Sequence, residues 1–123
     1  MRTILTATAL AVALAAGASA QDQPIYKIGN SIKAPVLIKE VKPNYTEGAM
    51  RRRVEGSVEL SVVVLRDGTV SDDVKITKSL DDELDEQAVN AAKQWRFRPG
   101  TKDGEPVNVQ VNIELTFTLR DRR

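Results

Sequence analysis

From Val107 to Leu119 the chain alternates apolar and polar residues without a break. Val107, Val109, Val111, Ile113, Leu115, Phe117 and Leu119 occupy the odd positions, and Asn108, Gln110, Asn112, Glu114, Thr116 and Thr118 the even ones. A helix, with a period of about 3.6, scatters such a set around its axis, whereas a strand sends alternate side chains to opposite faces. The stretch therefore predicts a strand with one dry and one wet face, about twice the average strand length. A strand that long outruns its neighbours, and part of its backbone is left over.

The chemistry available elsewhere is narrow. Among 123 residues there is no cysteine and no histidine. That removes Ser-His and Cys-His nucleophile pairs, cysteine- or histidine-bound zinc and disulfides, and no Gly-rich phosphate loop follows a strand. Asp81, Asp82, Glu83, Asp85 and Glu86 crowd one helix turn. They lack the alternating ligands and turn glycine of an EF-hand, no glycosidase cleft is implied, and acidic residues in a first turn offset the helix dipole. The expectation is a non-enzyme with no cofactor and no metal.

Met1-Arg2-Thr3, an Ala/Leu/Val-rich run from Ile4 to Ala16, and Gly17-Ala18-Ser19-Ala20 together have the form of a secretory signal peptide cleaved after Ala20. The alternative is an uncleaved inner-membrane anchor, for which the alanine-rich run is a poor spanning helix. Removing the leader takes Arg2 from the 18 basic side chains and leaves 17, as many as the acidic ones. A nucleic-acid partner calls for a basic excess, and the mature chain has none.

Along the mature chain, Gln21–Lys42 reads as a flexible lead-in with an edge strand at 35–41, where Pro35 sits just inside the start. One domain follows, over 43–120. Thr46 is the N-cap of a short helix, with Glu47 and Arg51 spaced as an i,i+4 pair and Arg51-Arg52-Arg53 complementing the C-terminal dipole. Ser57–Val64 and Val70–Lys78 form a hairpin, with Val58, Leu60, Val62, Val64, Val70, Val74 and Ile76 on one face and a type I′ turn at Asp67-Gly68. Leu84, Ala88, Ala91 and Trp95 make one apolar helix stripe. Trp95-Arg96-Phe97-Arg98-Pro99 could stack single-stranded bases, but two aromatics interleaved with two cations are more economically core residues between snorkelling arginines. Gly100–Pro106 is a turn-rich loop.

The order helix, strand, strand, helix, strand makes the third strand parallel to the second and antiparallel to the first. The expected fold is a two-layer α+β domain. It has a three-stranded, antiparallel-type sheet in the order 2-1-3, two helices on one face, and the long strand at an edge with unpaired N–H and C=O groups.

Pro43-Asn44-Tyr45, Glu55-Gly56-Ser57-Val58, Asp67-Gly68-Thr69-Val70, the Leu84…Ala88…Ala91 helix, Trp95-Arg96-Phe97-Arg98-Pro99 and Gly104-Glu105-Pro106-Val107 together resemble the C-terminal domain of TonB-family energy transducers. The resemblance runs from about Pro35 to Leu119. It implies a periplasmic module that captures the TonB box, a short extended segment of TonB-dependent outer-membrane transporters, by adding it as a strand. The family pairs the box with its last long strand, which here implies Val107, Asn108, Val109, Gln110, Val111, Asn112, Ile113, Glu114 and Leu115, with Pro43 and Tyr45 nearby.

Two departures qualify what the resemblance implies. Threonine stands at position 46, where the family usually has proline. Family transducers also carry an uncleaved anchor that meets an inner-membrane motor complex and a long proline-rich spacer. Gln21–Lys42, 22 residues, reach only about 70–80 Å when fully extended. The competing expectation is a structural role without force transmission, in which the edge pairs with a second copy, giving a homodimer, or with Val36–Val41 of its own chain.

Overall fold

The computed structural model describes residues 23–29 and 31–119. The expected leader, Met1–Ala20, lies outside them. Among the described residues no helix is long and apolar enough to cross a membrane.

The long alternating stretch is β9 (Asn108–Phe117), and it pairs antiparallel with β4 (Gly56–Val64) along the whole of β4, from Gly56↔Phe117 to Val64↔Val109. On the far side of β4 lies β5 (Lys75–Lys78), antiparallel again. The expected three-stranded 2-1-3 sheet is corrected at this point, because the sheet is mixed and has four strands. β1 (Ile25–Lys27) adds outside β9, parallel to it, to give the order β1-β9-β4-β5. The physical reason is the one that makes any bare edge a liability: unpaired main-chain groups accept whatever extended segment reaches them. Here the chain supplies that segment itself.

β1 comes from the stretch read as a flexible lead-in, and it is not the only strand there. β2 (Ile32–Lys33) pairs with β7 (Thr101–Lys102), which pairs in turn with β8 (Glu105–Pro106). Strands of two or three residues are too short to display a period, so the pattern could not announce them. β3 (Val36–Lys39) pairs antiparallel with β6 (Arg96–Arg98), so Val36–Val41 is not the strand beside β9.

The turn expected to be type I′, at Asp67-Gly68, takes another form. At Asp67-Gly68 only the glycine has positive φ, and Gly68 N–H donates to Leu65 C=O while Leu65 N–H donates to Thr69 C=O. That is a three-residue loop with a bulge glycine, not type I′. It suits Gly68 because Phe97 N–H donates to the Gly68 carbonyl at 2.8 Å, and an added Cβ would lie 2.3 Å from the Phe97 oxygen. The type I′ geometry belongs to the β7-β8 turn, where Asp103 and Gly104 both have positive φ (52° and 85°).

Both helices pack on one face of the main sheet. Thr46 caps α1 (Glu47–Arg51) by accepting from Ala49 N–H at 3.1 Å. Asp81 caps α2 (Asp82–Ala92) by accepting from Glu83 and Leu84 N–H. Leu84, Ala88, Ala91 and Trp95 are all buried with Val58, Leu60, Val62 and Val64 in one core. Phe97 joins them while Arg96 and Arg98 stay exposed, as core residues between snorkelling arginines should.

The acidic cluster is used structurally. Asp85 is buried, accepts from Leu80 and Asp81 N–H and from the Ser79 hydroxyl, and so ties down the turn that enters α2. Arg52 leaves α1 to bond Asp81 at 2.7 Å and Glu83 at 3.5 Å, joining the two helices. The Arg52 hydrogen bond, with N–H groups of Leu84 and Glu83, holds the Asp81 carboxyl below its ordinary range against the effect of burial.

Candidate functional site

β9 has two sides that differ in what they meet. Toward β4 every residue from Val109 to Phe117 has a strand partner. On the other side β1 covers only Asn108, Val109 and Gln110. From Val111 to Phe117 no strand among the described residues pairs with that side.

A groove of about 450 Å³ runs beside the open part. It is lined by Glu40, Lys42, Pro43 and Tyr45 from the segment after β3, and by Glu114, Leu115, Thr116, Phe117 and Thr118 from the end of β9. No residue of β4 lines it, so the groove follows the side of β9 that β4 leaves free. Its deeper wall is apolar and fixed. Tyr45 is buried, with its ring edge-on to Phe117 (centroids 5.4 Å apart, planes at 77°) and its hydroxyl donating to the Val54 carbonyl. Leu115 and Phe117 are buried beside it, while Glu40, Lys42 and Glu114 are exposed.

The residues expected from the sequence divide accordingly. Pro43, Tyr45, Glu114 and Leu115 come together at the groove. Val111, Asn112 and Ile113 lie on the open part of the strand, Asn112 exposed and the other two partly buried against the core. Val107, Asn108, Val109 and Gln110 lie elsewhere. Val107 precedes β9 and donates its N–H to the Gly100 carbonyl. Val109 is in the protein interior, and Gln110 donates to the Ser61 hydroxyl at 2.9 Å.

Asn108 departs most from the simple alternation. It was expected on the wet face, yet it is 1% exposed, and its Oδ1 accepts from Arg66 N–H at 2.8 Å. The loop after β4 bonds to the start of β9, and the buried Asn108 side-chain amide there requires partners, of which Arg66 N–H is one.

Glu40, Lys42, Thr116, Phe117 and Thr118 also line the groove and were not singled out from the sequence. For the last three a signal existed, since the alternation continues past Leu115 to Leu119. Glu40 and Lys42 had none, because their place depends on where β3 docks. Among the described residues no group of three or more His, Cys, Asp or Glu could hold a metal ion. What the arrangement offers is a row of main-chain groups beside a groove with an apolar wall and a charged rim. That is the chemistry of extended-peptide recognition by strand addition.

Comparison with known proteins places the chain. Residues 41–119 match the family described as Gram-negative bacterial TonB protein C-terminal. The chain belongs to this family. It is 32% identical over 89 residues to "Protein TonB" of Vibrio cholerae, and that alignment covers 72% of this chain and 36% of the relative. It is 38% identical over 78 residues to "Protein tonB2" of Pseudomonas aeruginosa, covering 63% of this chain and 28% of the relative. The chain thus spans about a third of the length of these relatives. Among solved structures, the solution NMR structure of the Pseudomonas aeruginosa TonB CTD matches with a TM-score of 0.58 and 25% identity, over 79% of this chain and 96% of that one. The α+β fold with two helices and mixed strands is that of a TonB C-terminal domain.

Proposed function

We propose that this chain is a periplasmic TonB-type capture module. It takes up the TonB box of TonB-dependent outer-membrane transporters by adding it as a strand to β9, in the service of energy-dependent transport across the outer membrane. The observation that carries this reading is the open side of Val111–Phe117, with the groove of Glu40, Lys42, Pro43 and Tyr45 alongside. Main-chain hydrogen bonds would supply affinity there, and side chains of the ligand that reach Tyr45, Leu115 and Phe117 would supply selectivity.

The test is fluorescence anisotropy with a labelled peptide copied from the N-terminal segment of a transporter from the source organism. Saturable binding is expected, and proline at alternate positions of the peptide should abolish it by removing N–H donors. Absence of binding up to about millimolar peptide, an affinity weaker than about −4 kcal/mol, would contradict the reading.

The same reading places the domain in the periplasm, and the state of the leader decides how it works there. Sequencing the N-terminus of protein recovered from cells separates the cases. A start at Gln21 fits a released module. A retained Met1 fits an anchored one, in contact with an inner-membrane motor complex. A second reading, a domain that caps its own edge, is favoured by one specific observation, the pairing of β1 with β9.

A further inference from the structure

β1 and β4 share β9, and they hold it very differently. β4 pairs with it over nine residues, Gly56 to Val64, and buries Val58, Leu60, Val62 and Val64. β1 pairs over three, Ile25↔Asn108, Tyr26↔Val109 and Lys27↔Gln110, and Ile25 is 53% exposed. Only Tyr26 is anchored by its side chain, with the Lys102 ammonium 5.0 Å from the ring centroid. Immediately afterwards the chain leaves the edge. Ile32 N–H donates to the Gly29 carbonyl, and Ile32–Lys33 pairs with β7 instead. The departure falls where the open stretch Val111–Phe117 begins.

β1 therefore does for Asn108–Gln110 what an added peptide does: it pairs with the main chain and commits few side chains. We infer that Ile25–Lys27 is an internal ligand of the β9 edge, one that a bound peptide must displace to use the strand from Asn108 to Phe117. This rests on the peptide-capture reading above and adds a competitor to it. The partner it describes is an extended segment longer than β1 that places an apolar or aromatic side chain opposite Val109, in reach of Lys102. The apparent affinity for that segment is reduced by the fraction of molecules in which β1 is docked.

The 123-residue chain contains no cysteine, which allows a clean lock. Lys27 and Gln110 face each other across neighbouring strands, at a Cα separation near 5 Å that a disulfide tolerates. In the double variant Lys27→Cys, Gln110→Cys, oxidation should close the bond and weaken binding of the labelled transporter peptide by about tenfold or more, and reduction should restore it. Comparing two redox states of one molecule controls for the substitutions themselves. Tyr26→Pro, which removes a donor and a ring from β1, should tighten binding by roughly three- to tenfold.

Equal affinity in the oxidised and reduced forms overturns the inference and leaves the capture reading intact. So does a failure of the disulfide to close under oxidant, since β1 would then not be docked. Unchanged or weaker binding by Tyr26→Pro likewise counts against it. Binding by neither the wild type nor any variant removes the capture reading, and the competitor falls with it.

Discussion

The two flanks of β9 differ in how much they bury: β4 pairs along its whole length, and β1 over three residues. On the β4 flank, side chains from both strands disappear into the core, and burying one Val or Leu contributes about 1.5–3 kcal/mol. On the β1 flank the partner is three residues long and half of Ile25 remains in water. Main-chain pairing with little burial yields a contact of modest strength, which is what the proposed exchange of β1 for a peptide requires. The contrast teaches that the strand's apolar alternation fixes where it sits in the fold, whereas the proposed capture role falls to the main chain on the side that the core does not need.

The contrast is broken most decisively by cutting into each flank. Leu60→Ala, on β4 and fully buried, should cost about 3 kcal/mol, whereas Ile25→Ala, on β1, should cost under about 0.5 kcal/mol. Urea unfolding of both variants checks this, and similar costs would erase the distinction. Gly68→Ala comes next. Its φ of 90° and the 2.3 Å approach of the new Cβ to the Phe97 oxygen should destabilise the protein by about 2–3 kcal/mol, read from the same unfolding curves. This turn supports the β4 flank through β6, so the site peptide should bind the folded fraction normally.

Tyr45→Phe probes the wall between the flanks. Losing the hydroxyl removes its bond to the Val54 carbonyl but keeps the ring on Phe117, at a cost of about 1 kcal/mol. Thermal melts give the stability change. The calorimetric affinity for peptide should change little if the ring alone forms the wall.

The smallest effect is on pH dependence, far from either flank. Asp81 has a folded-state pKa below its unfolded value because Arg52 bonds it. That contribution is therefore complete above the ordinary carboxylate value and is lost as pH falls through the lowered one. Thermal melts in an acid series should show Arg52→Met losing less stability than wild type over that range. Parallel curves would mean that the α1–α2 link contributes nothing.

How much of this was legible in the sequence follows from element length. β9, β4 and the stripe of Leu84, Ala88, Ala91 and Trp95 are long enough to carry a period, and each period reports which face is buried. β1, β2, β7 and β8 are two or three residues each, below any period, and they exist because their partners hold them. Asn108 obeyed the alternation and still ended inside, where the loop after β4 bonds to it. The candidate groove was half readable for the same reason. The open strand could be inferred from the length of the alternation, but Glu40 and Lys42 reach the groove only through the docking of β3 on β6. The strand beside Asn108–Gln110 had no signal beyond Ile25-Tyr26, two β-prone residues in a polar stretch.

The most direct test of the central claim is an NMR titration of isotope-labelled protein with the transporter peptide, following every backbone amide. Strand addition predicts shifts along Val111–Phe117 and at Glu40–Tyr45, reaching Asn108–Gln110 and Ile25–Lys27 where β1 is displaced, new protection from exchange on the open side of β9, and little change along β5 on the opposite edge. Shifts centred on β5 or on the helices, or none at about millimolar peptide, would contradict it.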